Sequence, residues 1–463
     1  MIDRKKELVV NTLIIGIGNL FTKAISFLLV PFFTIWLTTK EYGDYDLLFS
    51  YVSLFVPFLS MQLEQAVLRF TLEDKNKGTV YFKTGFTYLL ITSILFIPLA
   101  LFAIKFEYQL PFVFCTVTYA WQVYSIEYLR GLNELRKYSI ANIFCGLCTI
   151  FLSFFMLSIL NRGVGGLLTA FGLSYLLTSI YIFFSTKLYI DLSIKIFDIS
   201  VFKKLIYYSF PLLPNAISWW ITSVSDRTII NIFLGSSFNG IYAVSTKIPT
   251  LITVFYSIFN LAWQQSAIVS SSDKYEIRKE FYNATYEKLF SFLFTSSLVV
   301  VTITPFLYRY LLGYDYISGI YIVPTLILST LFLNLSQYQG GILLGQKDTK
   351  TNGVTTVIAA VLNLIINFLL ISQIGLYAAA FSTLFSYIIL FYLRLNKLKG
   401  LFEKKKILTQ MVQASILLYI ISFLSINLGY LWLQIILLAS AGLYFIYINK
   451  HMFKTVVNKI RRK

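Results

Sequence analysis

Histidine occurs once in this chain of 463 residues, and cysteine three times. Those scarcities exclude much of the chemistry a protein of this length could carry. A Ser–His–acid triad would have to use His451, which stands in a basic segment beyond the last apolar stretch. A structural metal site needs several Cys or His ligands brought together, and they are not available. Cys145 and Cys148 form a CxxC pair, but inside the uncharged run 138–160, where they read as small helix-packing residues, as does Cys115. Charge is equally short, at 13% of the chain, against roughly 25% in soluble domains. No Walker A motif occurs, so ATP use is not expected. No outer loop of the topology derived below could house the active site of a polymerase or glycosyltransferase. The chain is therefore not expected to be an enzyme.

What is present is apolar: 57% of the residues are hydrophobic and the mean hydropathy is +0.73. A spanning helix needs about 20 mainly apolar residues. Uncharged runs meet this at 138–160, 163–186 and 289–307. Two further runs, 354–392 and 407–449, are too long for one span. Each is interrupted by turn chemistry, at Gln373-Ile374-Gly375 and at Ile426-Asn427-Leu428-Gly429, and each reads as a helical hairpin. Stretches near 9–37, 45–70, 81–104, 110–130, 206–234, 240–270 and 319–345 bring the expectation to fourteen spans. Arg4, Lys5 and Lys6 followed by apolar residues superficially suggest a signal peptide. The stretch that follows is far longer than a signal core of ~7–15 residues, so a retained membrane anchor is expected.

The formal net charge of +18 could point to nucleic acid, but its distribution points to a membrane. With the N-terminus placed in the cytoplasm, Lys40, Lys105, Arg162 and Arg309 fall outside, and Lys23, Arg227 and Lys247 fall within spans. All other basic residues fall on the cytoplasmic side, as the positive-inside rule requires. A wrong span count would exchange the sides beyond the error and destroy this asymmetry. Both termini are therefore expected inside, with the basic loops 187–204, 394–406 and 450–463 against anionic headgroups.

A repeat runs through the apolar pattern. Gly43-Asp44-Tyr45 matches Gly240-Ile241-Tyr242, and Gly163-Val164-Gly165-Gly166 with Ser174-Tyr175 matches Gly375-Leu376-Tyr377-Ala378 with Ser386-Tyr387. The expected fold is an all-α membrane protein of two six-helix lobes, related by a pseudo-twofold along the membrane normal, plus two extra C-terminal helices. The boundaries read 1–186 for the N-lobe, 187–205 for a cytoplasmic linker and 206–395 for the C-lobe. Residues 407–449 form the extra pair and 450–463 a basic tail. Two such lobes suit a transporter that rocks between two access states.

Polar groups inside spans are costly and face a cavity or a partner. Lys23 shares a helical stripe with Asn19 and Ser26. The seventh span carries Asn215, Ser218, Thr222 and Asp226 on one face, with Arg227 beside them. The eighth carries Thr246, Thr250, Thr253, Ser257, Asn260 and Gln264, with Lys247 at its outer end. Glu64, Glu127 and Asp226 are the carboxylates read within spans, open to ion coupling or to structural pairing. Asp226 and Arg227 could form such a pair, although adjacent helical residues do not face each other. Arg69 and Arg130, at cytoplasmic helix ends, are expected to snorkel.

Around the seventh and eighth spans the chain resembles a known family. Tyr208-Ser209-Phe210-Pro211-Leu212-Leu213-Pro214-Asn215, then Ser225-Asp226-Arg227, then Asn239-Gly240-Ile241-Tyr242-Ala243-Val244 and Lys247-Ile248-Pro249 look like the Wzx-type repeat-unit flippases. These belong to the multidrug/oligosaccharidyl-lipid/polysaccharide exporter superfamily. Leu68-Arg69-Phe70, Arg130-Gly131-Leu132 and Asn363 to Asn367 add weaker matches. The resemblance implies a cargo of undecaprenyl-diphosphate-linked oligosaccharide, flipped to the outer leaflet of a bacterial plasma (inner) membrane for O-antigen (lipopolysaccharide), capsule or exopolysaccharide assembly. It implies a monomer without cofactor, possible partners in a polysaccharide polymerase and chain-length machinery, and a choice of coupling to H+, to Na+ or to neither. Lys23, Arg227 and Lys247 would serve the diphosphate, Arg as a bidentate fork. Asn19, Thr253, Ser257, Asn260 and Gln264 would serve the sugars. The competing reading is a drug- or cation-exporting antiporter of the same superfamily, which should offer acidic rather than basic groups.

Overall fold

Helix starts are set locally. Thr38 opens one with a reciprocal cap: its hydroxyl accepts the Glu41 amide at 3.2 Å while the Glu41 carboxylate accepts the Thr38 amide at 2.9 Å. Asp198 accepts the amides of Ser200 and Val201, and Asp348 that of Thr351. Hydrogen bonds from Thr351 hold the Asp348 carboxyl below its ordinary pKa.

The computed structural model describes residues 25, 27–103, 107–188, 197–427 and 430–461. The helices are α1 (Phe27–Trp36), α2 (Thr39–Ser60), α3 (Leu63–Glu73), α4 (Gly78–Ala103), α5 (Gln109–Gly131), α6 (Leu135–Phe154), α7 (Gly163–Ser185) and α8 (Ile199–Ser209). They continue with α9 (Leu213–Phe233), α10 (Ser236–Ser270), α11 (Tyr275–Phe306), α12 (Val323–Gly345), α13 (Thr349–Ile374), α14 (Leu376–Lys397), α15 (Lys404–Asn427) and α16 (Leu431–Arg461). No strand occurs among the described residues; Lys399 and Phe402 form an isolated bridge.

Eight helices are long and apolar enough to cross a membrane, and three bent pairs raise this to eleven. The other expected stretches hold α1 and the more polar helices α5 and α9. All fourteen stretches thus contain helix, and the protein is an all-helical, multi-pass membrane protein. Helix ends overrun the apolar runs: α11 begins at Tyr275, and α16 continues to Arg461, through most of the segment read as a tail.

The stretch 45–70 is two helices meeting at 55°. Met61 and Gln62, at φ 48° and 58°, both adopt the left-handed conformation that non-glycine residues rarely take. The break is served by neighbouring hydroxyls. Ser60 accepts the Gln62 amide at 3.2 Å, and Thr92 of α4 donates to the Leu59 carbonyl at 3.0 Å.

The chain divides into two compact units, Met1–Thr228 and Ile229–Lys463. The segment 187–205, read as a linker, lies within the first of these units. Helix α8 begins inside that segment, and Leu205, Phe202 and Val201 pack into the core formed with α3 and α4. Tyr88 and Phe202 bring their rings to 5.1 Å. Physically, α8 is part of the first unit.

Each unit holds the same tyrosine device. In the first, Tyr124 of α5 is fully buried and donates to the Phe82 carbonyl of α4 at 2.9 Å. Gly85 permits this approach, because a Cβ there would collide with the Tyr124 hydroxyl. In the second, Tyr338 of α12 donates to the Tyr282 carbonyl of α11 at 2.7 Å, with Trp263 stacked 4.3 Å from its ring. Two glycines of the repeated motif share a positive φ. Gly163 (φ 52°) opens α7 and Gly375 (φ 58°) precedes α14, where a side chain would be strained.

Candidate functional site

In the first unit, α9 lies against α2 through a polar ladder. Arg227 donates through Nε to Asp46 Oδ2 at 2.5 Å. Trp220 donates through Nε1 to the Ser50 carbonyl at 2.8 Å, and the Tyr51 and Thr228 hydroxyls meet at 3.3 Å. The three contacts join residues 46–51 of α2 to residues 220–228 of α9. The side chains of Arg227 and Asp46 are only 17% and 9% exposed, so each charge is largely removed from water and depends on the other.

The Arg227 guanidinium, read beside Asp226, takes Asp46 of another helix. Adjacent positions on α9 diverge, whereas Asp46 faces it directly. Asp226 itself is buried. Asp46 was missed although it falls inside the apolar stretch 45–70, and a lone acid there is the same signal that singled out Glu64.

The other carboxylates differ in state. Both oxygens of Glu127 accept from Arg130 Nη1, at 2.8 and 2.7 Å, one turn away on α5. Arg130 therefore pairs rather than only snorkelling. Arg69 pairs with Glu73 at 3.1 Å, both about half exposed. Glu64 is 3% exposed, just past the α2–α3 break, and its Oε2 has no hydrogen-bond partner among the described residues. Lys23 and Asn19 lie outside the described residues.

In the second unit, the polar stripe of α10 is present but partly turned inward on its own helix. Thr246 donates to Ala243, Thr250 to Lys247 and Ser257 to Val254, each to a carbonyl one turn back. Asn260 accepts from Tyr256 at 3.2 Å. Thr253 and Lys247 are half-buried and Gln264 is exposed. The hydroxyls keep acceptor capacity for a ligand.

Arg394 departs from its expected place in a basic headgroup loop. It is 5% exposed and clasps three helices. Nη1 donates to the Ser336 carbonyl of α12 at 2.7 Å, and Nη2 to the Asn352 carbonyl at 3.2 Å and the Thr356 hydroxyl at 3.0 Å on α13. Nε reaches the Thr355 hydroxyl at 3.2 Å. A charge at the end of α14 is stabilised here by carbonyl dipoles, and no salt bridge to it occurs among the described residues. No cluster of three His, Cys, Asp or Glu suited to a metal occurs among the described residues.

Many apolar helices with paired charges buried between them define a polytopic membrane protein, and its fold is similar to that of solved membrane flippases and transporters. The lipid II flippase MurJ in its inward closed conformation aligns with a TM-score of 0.70 at 15% identity, covering 97% of this chain and 100% of that one. An inward-facing multidrug resistance MATE family transporter aligns at 0.62 and 15% identity, covering 83% and 94%. A membrane protein of Methanocaldococcus jannaschii, itself uncharacterised, is 22% identical over 404 residues, 82% of this chain and 95% of that protein. Residues 8–263, more than half of the chain, match the polysaccharide biosynthesis protein family, and the chain belongs to it.

Proposed function

We propose that the protein flips an undecaprenyl-diphosphate-linked oligosaccharide repeat unit from the cytoplasmic to the outer leaflet of a bacterial plasma membrane by alternating access. Polysaccharide-family membership over residues 8–263 carries this reading. The product would feed O-antigen, capsule or exopolysaccharide assembly, with a polymerase and chain-length machinery as partners and a monomer as the working unit.

The chemistry supports it. A diphosphate needs cations, and Lys23, Arg227 and Lys247 lie within the apolar stretches. Hydroxyls and amides of α10, with Asn19, suit sugar hydroxyls. Among the expected coupling carboxylates, Glu64 has one oxygen without a hydrogen-bond partner among the described residues, whereas Glu127 is engaged by Arg130. Glu64 is therefore the first choice for H+ or Na+ coupling, ahead of Asp226 and Glu127.

A lipid diphosphate bears about two negative charges, and each gains ~2.3 kcal/mol per 100 mV on leaving a negative interior, so outward movement gains at most roughly 4–5 kcal/mol. In proteoliposomes holding labelled lipid-linked oligosaccharide, an imposed potassium-diffusion potential should speed flipping toward the positive side and slow the reverse. A rate indifferent to potential and to H+ and Na+ gradients would leave a passive scramblase. Efflux of organic cations without flipping would favour the antiporter reading.

The topology has its own check. Cysteines placed at Ser236, Ser318 and Asn427 should react with an impermeant thiol reagent from outside the cell, and one at Lys397 should not. Inverted labelling at any of these positions would contradict both termini lying in the cytoplasm.

A further inference from the structure

Beyond the transport reading, a cleft of about 730 Å³ opens between the end of α3 and the short helix α8, lined by Arg69, Glu73, Lys203, Lys204, Tyr207 and Tyr208, with Phe70 and Pro211. Its charges are unbalanced. Arg69 is matched by Glu73, but neither Lys203 nor Lys204 has a salt bridge among the described residues. Two ammonium groups therefore face the cleft without a salt bridge among the described residues.

Aromatic rings hold Lys204 and Arg69 in place. The Lys204 ammonium sits 4.1 Å from the Phe70 ring centre and 5.5 Å from that of Tyr81. The Arg69 guanidinium lies 4.7 Å from the Tyr208 ring centre. Such contacts orient a cation but leave its donors available to an anion.

The surroundings say which anion. α8 buries Leu205 and Ser209 against α3 and α4, yet Ile199, Tyr207 and Phe210 around it are 60%, 86% and 56% exposed. Water is a poor solvent for that surface. A short helix with lysines beside exposed aromatic and aliphatic groups suits the headgroup layer, where rings meet acyl chains and ammonium groups meet phosphates. A soluble phosphate would satisfy the lysines and leave Tyr207 and Phe210 uncovered; a phospholipid covers both.

We propose that the α3–α8 cleft is a binding site for one anionic phospholipid, with its phosphate between Lys203, Lys204 and Arg69 and its glycerol and upper acyl chains against Tyr207 and Phe210. This site is separate from the residues assigned to the transported lipid, and it stands whether or not the flippase reading does. α8 also packs into the core of the first unit, so an occupied cleft ties that core to the membrane surface.

The test uses full-length protein in detergent and native mass spectrometry. Phosphatidylglycerol and phosphatidylcholine with identical acyl chains, farnesyl diphosphate and inorganic phosphate are each added in turn. Phosphatidylglycerol should be retained with one tight site and phosphatidylcholine should not. Each lost ammonium should weaken retention about fivefold, so the Lys203→Gln/Lys204→Gln variant should bind about twenty-five-fold more weakly. Lys203→Arg/Lys204→Arg should stay near wild type, which separates loss of charge from loss of fold. Equal retention of both phospholipids, or equal loss in the Gln and Arg variants, would overturn the proposal. So would displacement of phosphatidylglycerol by millimolar inorganic phosphate, or retention of farnesyl diphosphate alone.

Discussion

Arg227→Ala is expected to abolish complementation of a flippase-null strain and to destabilise the protein by about 3–5 kcal/mol, because it leaves the Asp46 carboxylate buried without a counter-charge. The two effects are separable. An Asp46→Asn/Arg227→Gln double variant keeps hydrogen-bonding groups and buries no charge, so its abundance should recover while transport stays lost. Arg227→Lys should retain part of the activity, since charge survives but the planar fork does not. The reversed pair, Asp46→Arg/Arg227→Asp, makes the sharpest comparison. Restored abundance without transport assigns Arg227 to the diphosphate, whereas restoration of both would leave it a purely structural partner of Asp46. Glu64→Gln should remove dependence on the coupling ion while leaving the protein folded, because the buried Oε2 makes no hydrogen bond among the described residues that the amide would break.

The second large effect is expected at Arg394. Replacement by Met removes the donors to the Ser336 and Asn352 carbonyls and to the Thr355 and Thr356 hydroxyls, at a cost of roughly 3 kcal/mol. Lysine should recover little, since one ammonium cannot bridge three helices as a guanidinium does. Gly340→Ala probes the same clasp without touching the charge. Its Cβ would stand 2.8 Å from Arg394 Nη1 and 3.0 Å from Asn352 Oδ1, forcing the guanidinium aside. Thermal unfolding of the purified protein checks both, and an unchanged midpoint in Arg394→Met would contradict the clasp.

How far the sequence carried the fold depended on what each signal measures. Uncharged runs of spanning length report helices reliably, because lipid admits no unsatisfied backbone. They report ends poorly: α11 starts among charged residues at 275–288, and α16 continues past Lys450, since a helix does not stop where the bilayer does. α8 was hidden in a linker because Asp198, Lys203 and Lys204 break the apolar run, although its Leu205 face is core. Arg394 stood close to Lys397 and Lys399 and so read as part of a basic loop. Its burial depends on carbonyls of α12 and α13 that no local pattern announces. The Asp46–Arg227 pair spans 181 positions. Arg227 was read as an intramembrane charge and Asp46 was not, and which acid meets which base is decided by how α2 and α9 are laid side by side.

The break at Met61 and Gln62 has a mechanical consequence. The polypeptide from Thr39 to Glu73 behaves as two stiff rods joined by a two-residue joint, because helical hydrogen bonds resist bending everywhere except where the ladder is already open. Any change in the 55° angle concentrates at that joint, and its far arm carries Glu64 at its second residue. The two left-handed residues load the joint like a spring, each at a cost of about 1–3 kcal/mol. Glycine at 61 or 62 would slacken it and let the arm swing more freely, while the rods themselves kept their length.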